Sequence, residues 1–348
     1  MPETPQTMTA YRLLEWGKGG YDEVPVPKPG ALDVLLKVGG VGICGSDLSF
    51  LRMSSGGWPA SPPWTLGHEI AGWVAELGSG VTSVNVGDAV LATGADSCGR
   101  CEFCLRGRDN LCPTTVTGRG CGTDGGLASY VVVPERQLVP LIGLDPRSAA
   151  PLTDAGHTSY GAVKAQVPRL APGTTAMVIG CGGLGSFAVQ YLALLTRATI
   201  IVVDVSEQRL AYARELGAHH SVRAGENAAD DVRRLTAGRG VDAVFDFVGH
   251  QDSIDLAVSA TRIAGSISIT GLGQGSIPFE WGRTPALASE IIIRVGGSLP
   301  ELHEVVTAAE SGKLTIDVEH FAFDQIDDAL GRLARGELRG RAVITPNG

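Results

Sequence analysis

Four cysteines stand close together, as Cys98-x2-Cys101-x2-Cys104-x7-Cys112, in a short loop rich in glycine and arginine. Four thiolates at this spacing can close a tetrahedral shell. That is the structural form of zinc coordination, which leaves no position open to substrate and serves to hold a lobe together. An iron–sulfur cluster also takes four thiolates, and a zinc ribbon that touches nucleic acid is a further alternative. A net charge of −9 and the lack of an aromatic platform speak against the ribbon. Cys121 and Cys181 have no metal partner at useful spacing and read as packing or turn residues. The seventh cysteine, Cys44, lies in Gly42-Ile43-Cys44-Gly45-Ser46-Asp47, upstream of Gly67-His68-Glu69. One thiolate and one imidazole make half of a catalytic zinc site, which needs a third protein ligand and an open position. Taken alone, such a pair is more often packing than chemistry.

A second chemical signal is Gly180-Cys181-Gly182-Gly183-Leu184-Gly185, which fits G-x-G-x-x-G. It ends a β-branched strand and opens an apolar helix. In that context the glycines allow a tight turn and close backbone approach, and a pyrophosphate can sit at the helix N-terminus. Asp204 closes the next strand, 19 residues after Gly185. A carboxylate there accepts hydrogen bonds from adenosine ribose hydroxyls and repels a 2′-phosphate, which favours NAD over NADP. Arg209, a helical turn further on, would soften that preference.

The elements that must position these residues fall into two textures. Up to about residue 150 the chain is β-rich, with strand-like runs at Val34–Val41, Ile70–Leu77, Ala89–Ala92 and Leu127–Val133 between Gly, Pro and Asp turns. From about Gly173 strands and helices alternate: Ala176–Gly180, a helix Leu184–Thr196, then Thr199–Asp204. A helix follows over Ser206–Leu216 with Ser206 as N-cap, and strands recur at Ala243–Phe247, Ser266–Thr270 and Ile291–Val295. That alternation predicts a doubly wound parallel sheet. Helices near Glu301–Ser311 and Gln325–Arg335 and a final strand Arg341–Thr345 close the chain. The simplest organisation inserts a nucleotide domain into a catalytic domain built from both chain ends.

In order, the motifs resemble those of the zinc-containing alcohol dehydrogenases of the medium-chain dehydrogenase/reductase family. The likeness covers nearly the whole chain: Cys-Gly-Ser-Asp, Gly-His-Glu, the four-cysteine lobe, Gly87-Asp88 before a strand, the glycine fingerprint and the closing Arg-x-Val-Ile strand. It implies an α/β fold with a GroES-like β-rich catalytic domain over 1–156 and 299–348. The structural zinc lobe lies at about 94–115, and a Rossmann NAD-binding domain covers 157–298. It makes Cys44, His68 and Asp154 the catalytic zinc ligands and Cys98, Cys101, Cys104 and Cys112 the structural ones, two zinc ions per chain. Glu69 would be a nearby carboxylate able to approach the metal, and Asp47 would orient His68. Thr158 would pack on the nicotinamide, beside the fingerprint residues Gly180, Gly182, Gly183, Leu184 and Gly185. Arg341, or Arg339 before it, would approach the pyrophosphate.

On that resemblance the metal lowers the pKa of an alcohol oxygen so that hydride can leave for NAD, or polarises a ketone in reverse. Ser46 would take the alcohol proton. The histidine that often carries it outward is replaced by Ser49. Gly94 and Gly296 stand where the family often has aromatic walls, which suggests a roomy pocket for a bulky secondary alcohol or ketone, with Trp58, Trp64 and Phe50 as further apolar surface. The rival readings are an NAD(P)H-dependent reductase of a conjugated C=C or iminium, and a nucleotide-binding protein without catalysis.

Composition excludes other classes. With 44% hydrophobic and 19% charged residues the chain is ordinary for a soluble protein, apart from 48 glycines among 348 residues, about twice the usual share. It offers no basic stripe for nucleic acid and no apolar run near the length of about 18 residues that a membrane span needs. Met1 to Ala10 lack the pattern of a signal peptide, so a cytoplasmic location with reduced thiols is expected. The expected partners are a small-molecule alcohol or ketone and further copies of the chain, as a homodimer or homotetramer.

Overall fold

The computed structural model describes residues 4–54, 57–113, 117–281 and 286–348; the expected lobe's last two residues, 114 and 115, lie outside them. The chain divides into two compact units, Met1–His157 with Ser298–Gly348, and Thr158–Gly297.

In the first unit the strand Asp33–Gly42 is buried along nearly its whole length, because both of its faces are covered. Glu69–Leu77 pairs antiparallel along one edge, with Ala89–Ala92 and Leu138–Pro140 beyond it. The other edge is shared: Tyr130–Pro134 takes its first half and Arg341–Thr345 its end, followed by Val318–Ala322. A three-stranded sheet carries an N-terminal hairpin, Thr7–Glu15 with Lys18–Pro25, that the sequence pattern did not announce. The expected strand at Leu127 starts only at Tyr130, since Leu127 bonds to Leu66 and Tyr11 instead. One apolar core joins these sheets to the helix Ile326–Arg335, with Leu13, Leu36, Ile70 and Ile344 fully buried. Truncating such a side chain to Ala costs about 2–5 kcal/mol.

This pairing carries the first unit's chemistry to one place. Gly42 ends its strand opposite Glu69, which begins the next, and opposite Val343 on the other side. Cys44, His68 and Arg341 therefore leave three neighbouring strands at the same end of the sheet.

The second unit is a six-stranded parallel sheet in the order His220–Arg223, Thr199–Asp204, Thr175–Ile179, Val241–Asp246, Thr261–Ile269, Glu290–Ile293. This is the doubly wound order, in which the chain reverses its direction of growth beside Thr175–Ile179. The helices Gly183–Leu195 and Glu207–Glu215 stand where the periodicity puts them, the second capped by Ser206. The helices Ala228–Leu235 and Gln251–Ala260 were not expected, although Ala228 and Val232 bury one face of the first.

Candidate metal centres and nucleotide turn

The four cysteines meet as spacing requires. Sγ–Sγ distances are 3.5 Å for Cys101–Cys104, 3.8 Å for Cys101–Cys112 and 4.0 Å for Cys98–Cys104. Zinc–sulfur bonds of about 2.3 Å in a tetrahedron place their sulfurs about 3.8 Å apart, so the donor set fits zinc. Backbone N–H groups of Cys101 and Cys104 donate to the sulfurs of Cys98 and Cys101 at 3.3 and 3.5 Å. The lobe is tied down by Asp109, which accepts the Leu299 N–H, and by Arg136, which donates to Ser97 Oγ. A buried network next to it was not legible beforehand: Arg119 donates to Asp96 and Gln137, whose amide donates to the Ala95 carbonyl.

The second centre assembles Cys44, His68, Glu69 and Asp154, with one donor atom of each within 4.8 Å of the others. Cys44 is the N-cap of the helix Gly45–Arg52, and Asp47 at the third helical position accepts its N–H at 2.8 Å. The other Asp47 oxygen lies 3.6 Å from His68 Nδ1. The opposite ring nitrogen, Nε2, consequently faces Asp154 Oδ2, 3.6 Å away. Asp154 Oδ2 is also 3.4 Å from Cys44 Sγ. Ligand atoms around a tetrahedral zinc with bonds of about 2.0–2.3 Å stand about 3.3–3.8 Å apart, so this set fits as well. Asp154 follows the turn Ala150–Thr153, which Thr153 docks on the sheet by accepting the Ile70 N–H at 3.2 Å. No sequence signal pointed to Thr153.

Arg341 donates to both oxygens of Glu69, at 3.0 Å from Nε to Oε2, and lies 3.4 Å from Asp154 Oδ2 through Nη2. Its guanidinium is thus placed on the metal-site carboxylates, a position the closing motif did not reveal, whereas Arg339 pairs with Asp317. Burial lifts the Glu69 carboxyl to about 7, against the pull of Arg341. Burial would lift Asp154 too, but His68 and Arg341 outweigh it and hold that carboxyl well below its ordinary value. Burial opposes charge on His68, yet Cys121, Asp47, Cys44 and Asp154 together raise its pKa.

Ser46 is partly exposed, with its hydroxyl 3.8 Å from Cys44 Sγ. Ser49 donates its hydroxyl to the Gly45 carbonyl, a bond within its own helix. A Cβ at Gly94 would stand 3.0 Å from the His68 carbonyl oxygen, and Gly296 has φ +55, so each glycine also has a backbone reason for its place. Phe50 and Trp64 belong to the core, in edge contact with each other, and Trp58 donates to the Cys121 carbonyl.

In the second unit Gly180 turns the chain after Thr175–Ile179 with φ +83, and Gly182 caps the helix Gly183–Leu195. A Cβ on Gly185 would overlap the Gly180 carbonyl oxygen, so the helix can lie on the turn only with glycine there. Asp204 is 4% exposed, and each of its oxygens accepts a backbone N–H, from Cys181 at 2.7 Å and from Ser206 at 2.8 Å. The acid expected at the ribose is therefore also the tie between the glycine turn and the next loop. Leu184 accepts the Ser159 hydroxyl at 2.8 Å. Thr158 is buried on the helix Ala155–Lys164, and Arg209 is the third residue of Glu207–Glu215.

Residues 30–143 match the model of the alcohol dehydrogenase GroES-like domain, and residues 183–310 that of the zinc-binding dehydrogenases. An NAD-dependent alcohol dehydrogenase of Sulfolobus acidocaldarius is 34% identical over 333 residues, covering 93% of this chain and 95% of its own. The alcohol dehydrogenase of the hyperthermophilic archaeon Aeropyrum pernix aligns with a TM-score of 0.92 at 36% identity, covering 97% of this chain and 100% of that one. Acetophenone reductase from Geotrichum candidum, solved with NAD, aligns with a TM-score of 0.89 at 30% identity, covering 99% and 98%. The chain belongs to the zinc-binding alcohol dehydrogenases of the medium-chain dehydrogenase/reductase family. It is an oxidoreductase of alcohols and ketones, with a GroES-like unit and a Rossmann-type unit.

Proposed function

We propose that this enzyme moves hydride between NAD(H) and a secondary alcohol or its ketone, with Cys44, His68 and Asp154 holding the catalytic zinc and the four cysteines a second, structural one. The observation that carries this reading is the meeting of those three donors, with Asp154 Oδ2 3.4 Å from Cys44 Sγ and 3.6 Å from His68 Nε2, and Asp47 behind His68. Zinc bound there supplies Lewis acidity to a substrate oxygen. The chain's own residues do the rest. Ser46, beside the ligand sulfur, receives the alcohol proton. Ser49 passes nothing on, because its hydroxyl is engaged by Gly45, so the proton leaves through water or a cofactor hydroxyl. The glycine turn seats the pyrophosphate, and Asp204, held rigid by two backbone donors, faces the ribose and disfavours a 2′-phosphate. Thr158 packs on the nicotinamide.

A bulky substrate is the finer reading. Its support is the likeness to a reductase named for acetophenone, an aryl ketone. The enzyme acts in the cytoplasm; no described helix is long and apolar enough to cross a membrane. It works as a homo-oligomer that covers the sheet edge Glu290–Ile293, where Ile293 is 78% exposed, with Trp281 at 86%. Antiparallel pairing of that edge with a second copy about Ile292 would set Glu290 opposite the partner's Arg294, opposite charges in register.

The test is a substrate panel with metal analysis. Activity with aryl or cyclic secondary alcohols above ethanol, NAD preferred to NADP, and two zinc ions per chain are expected, one for each of the two donor groups. Full activity in Cys44→Ala would overturn the assignment.

A further inference from the structure

The strand Val241–Asp246 carries a buried aspartate near each end. Asp242 lies between Arg239 and Arg262, which meet its charge with charge. Asp246 is 0% exposed, and among the described residues its partners are all neutral. One of its oxygens accepts the N–H groups of Val248 and Gly249 at 2.8 and 3.0 Å, and the other accepts the Ser253 hydroxyl at 2.9 Å. Ser253 stands in the first turn of the helix Gln251–Ala260, whose N-terminal dipole adds to these donors. Such dipoles satisfy a carboxylate but, unlike two guanidinium groups, leave its net charge in place.

That charge stands at the carboxyl ends of the parallel strands, where this fold takes its dinucleotide. The Asp246 carbonyl accepts the N–H groups of Thr270 and Gly271 at 2.9 and 3.1 Å, so the residue also sets the loop leaving the next strand. Val248, held by its carboxylate, packs on the glycine turn: a Cβ at Gly180 would stand 2.6 Å from Val248 Cγ2. The turn takes the pyrophosphate, and Asp204 takes the adenosine ribose on one side of it. The nicotinamide half therefore falls on the other side, over Val241–Asp246 and Thr261–Ile269. The oxidised ring is a cation, and hydride received from an alcohol carbon makes it neutral.

We propose that Asp246 decides which form of the cofactor the enzyme holds more tightly: its uncancelled negative charge favours NAD+ over NADH. The inference rests on the reading of the glycine turn and Asp204 as an NAD site. A weaker hold on the neutral product eases its release after alcohol oxidation, and product release is a step that limits many enzymes.

The test measures binding by the full chain at fixed pH without substrate: NADH by its fluorescence, and NAD+ by displacement of NADH. Asp246→Asn removes the charge and keeps the shape. Its amide oxygen can accept the Val248 and Gly249 N–H groups, and its NH2 can donate to Ser253 Oγ, whose own proton then goes to the His250 carbonyl, 2.8 Å away. The Kd of NAD+ should rise against that of NADH by roughly 2–15-fold. That is the effect of a unit charge about 10 Å away, two strand spacings, at effective dielectric constants of about 80 to 20. Ser253→Ala, which removes a donor but keeps the charge, should leave the ratio of the two Kd values at the wild-type value. An unchanged ratio in Asp246→Asn, even with both affinities reduced, overturns the proposal, and so does an equal change in Ser253→Ala. A wild type that binds neither nucleotide instead overturns the NAD reading beneath it. Should Asp246→Asn not fold, Asp246→Ser takes its place, with room for a water on the two N–H groups; the same change in ratio is expected, and an unchanged ratio overturns the proposal.

Discussion

Asp47 accepts the Cys44 N–H at 2.8 Å through one oxygen and holds the other 3.6 Å from His68 Nδ1, so one buried carboxylate supports two of the residues proposed to hold the catalytic zinc. With a metal on Nε2, Nδ1 would carry the proton and Asp47 would be its acceptor. Asp47→Ala should therefore weaken metal binding at the catalytic centre roughly 10–100-fold. Asp47→Asn should do no better: its amide would set an N–H against Nδ1, which must itself carry a proton when Nε2 is the ligand. Competition with a chromogenic chelator measures this, and the four-cysteine zinc, retained in both variants, is the internal control. Retention of both metals at wild-type strength would exclude the role given to Asp47.

The four-cysteine lobe makes an independent prediction. Its sulfurs are already arranged at zinc spacing and accept backbone N–H groups, so one lost thiolate removes the ion rather than a single bond. Cys101→Ser should fall from two zinc ions to one by metal analysis and unfold at lower temperature. A coloured, iron-containing preparation of the wild type would instead support an iron–sulfur cluster.

Much of this was legible in the sequence, for identifiable reasons. The strand Thr199–Asp204 and the final strand Arg341–Thr345 were found residue for residue, because β-branched runs between polar turns leave little choice. Cysteine spacing is local and announced its own site. Asp154 was reachable only through family likeness, since no local pattern links it to a histidine 86 positions upstream. The Glu69–Arg341 bridge lay beyond both kinds of reading: it depends on strand register and on the missing side chain of Gly42. Gly94, taken from the sequence only as a sign of space, also packs its backbone against His68, a close approach that no local pattern announces.

Asp204 offers a test of the nucleotide turn. Both of its oxygens accept backbone donors, one from the glycine turn and one from the following loop. Asp204→Asn keeps the shape but sets an amide N–H against one of those donors. An unsatisfied buried donor costs about 1–3 kcal/mol, so the KM for NAD should rise about 5- to 100-fold. Removing the negative charge relieves repulsion of a 2′-phosphate, so the KM for NADP should rise less or fall. Steady-state kinetics with both cofactors decide it, and an unchanged KM for NAD would show that the turn holds its form without this carboxylate.

Acid stability of the second unit should depend on Asp242. Its carboxylate is 1% exposed and accepts the Thr175 N–H at 2.8 Å, Arg239 at 2.8 and 3.1 Å, and Arg262 at 2.6 Å. Burial pushes its pKa up, but these donors outweigh burial and bring it below the ordinary carboxylate value. A carboxyl whose pKa is lower in the folded state favours folding when it is ionised. Its contribution is present in full above the unfolded value of about 4 and is lost as the pH falls through the folded value. At pH 7, Asp242→Asn should lose about 2–4 kcal/mol, because the neutral amide leaves two guanidinium groups and a backbone donor poorly matched. As the pH falls below about 4 the unfolded chain takes up the proton first, and the gap should narrow until the pH passes the lower folded value. Urea unfolding of both proteins from pH 7 to pH 3 measures the difference while acid effects shared by the two cancel. A gap that stays constant over that range would mean that Asp242 acts through shape rather than charge.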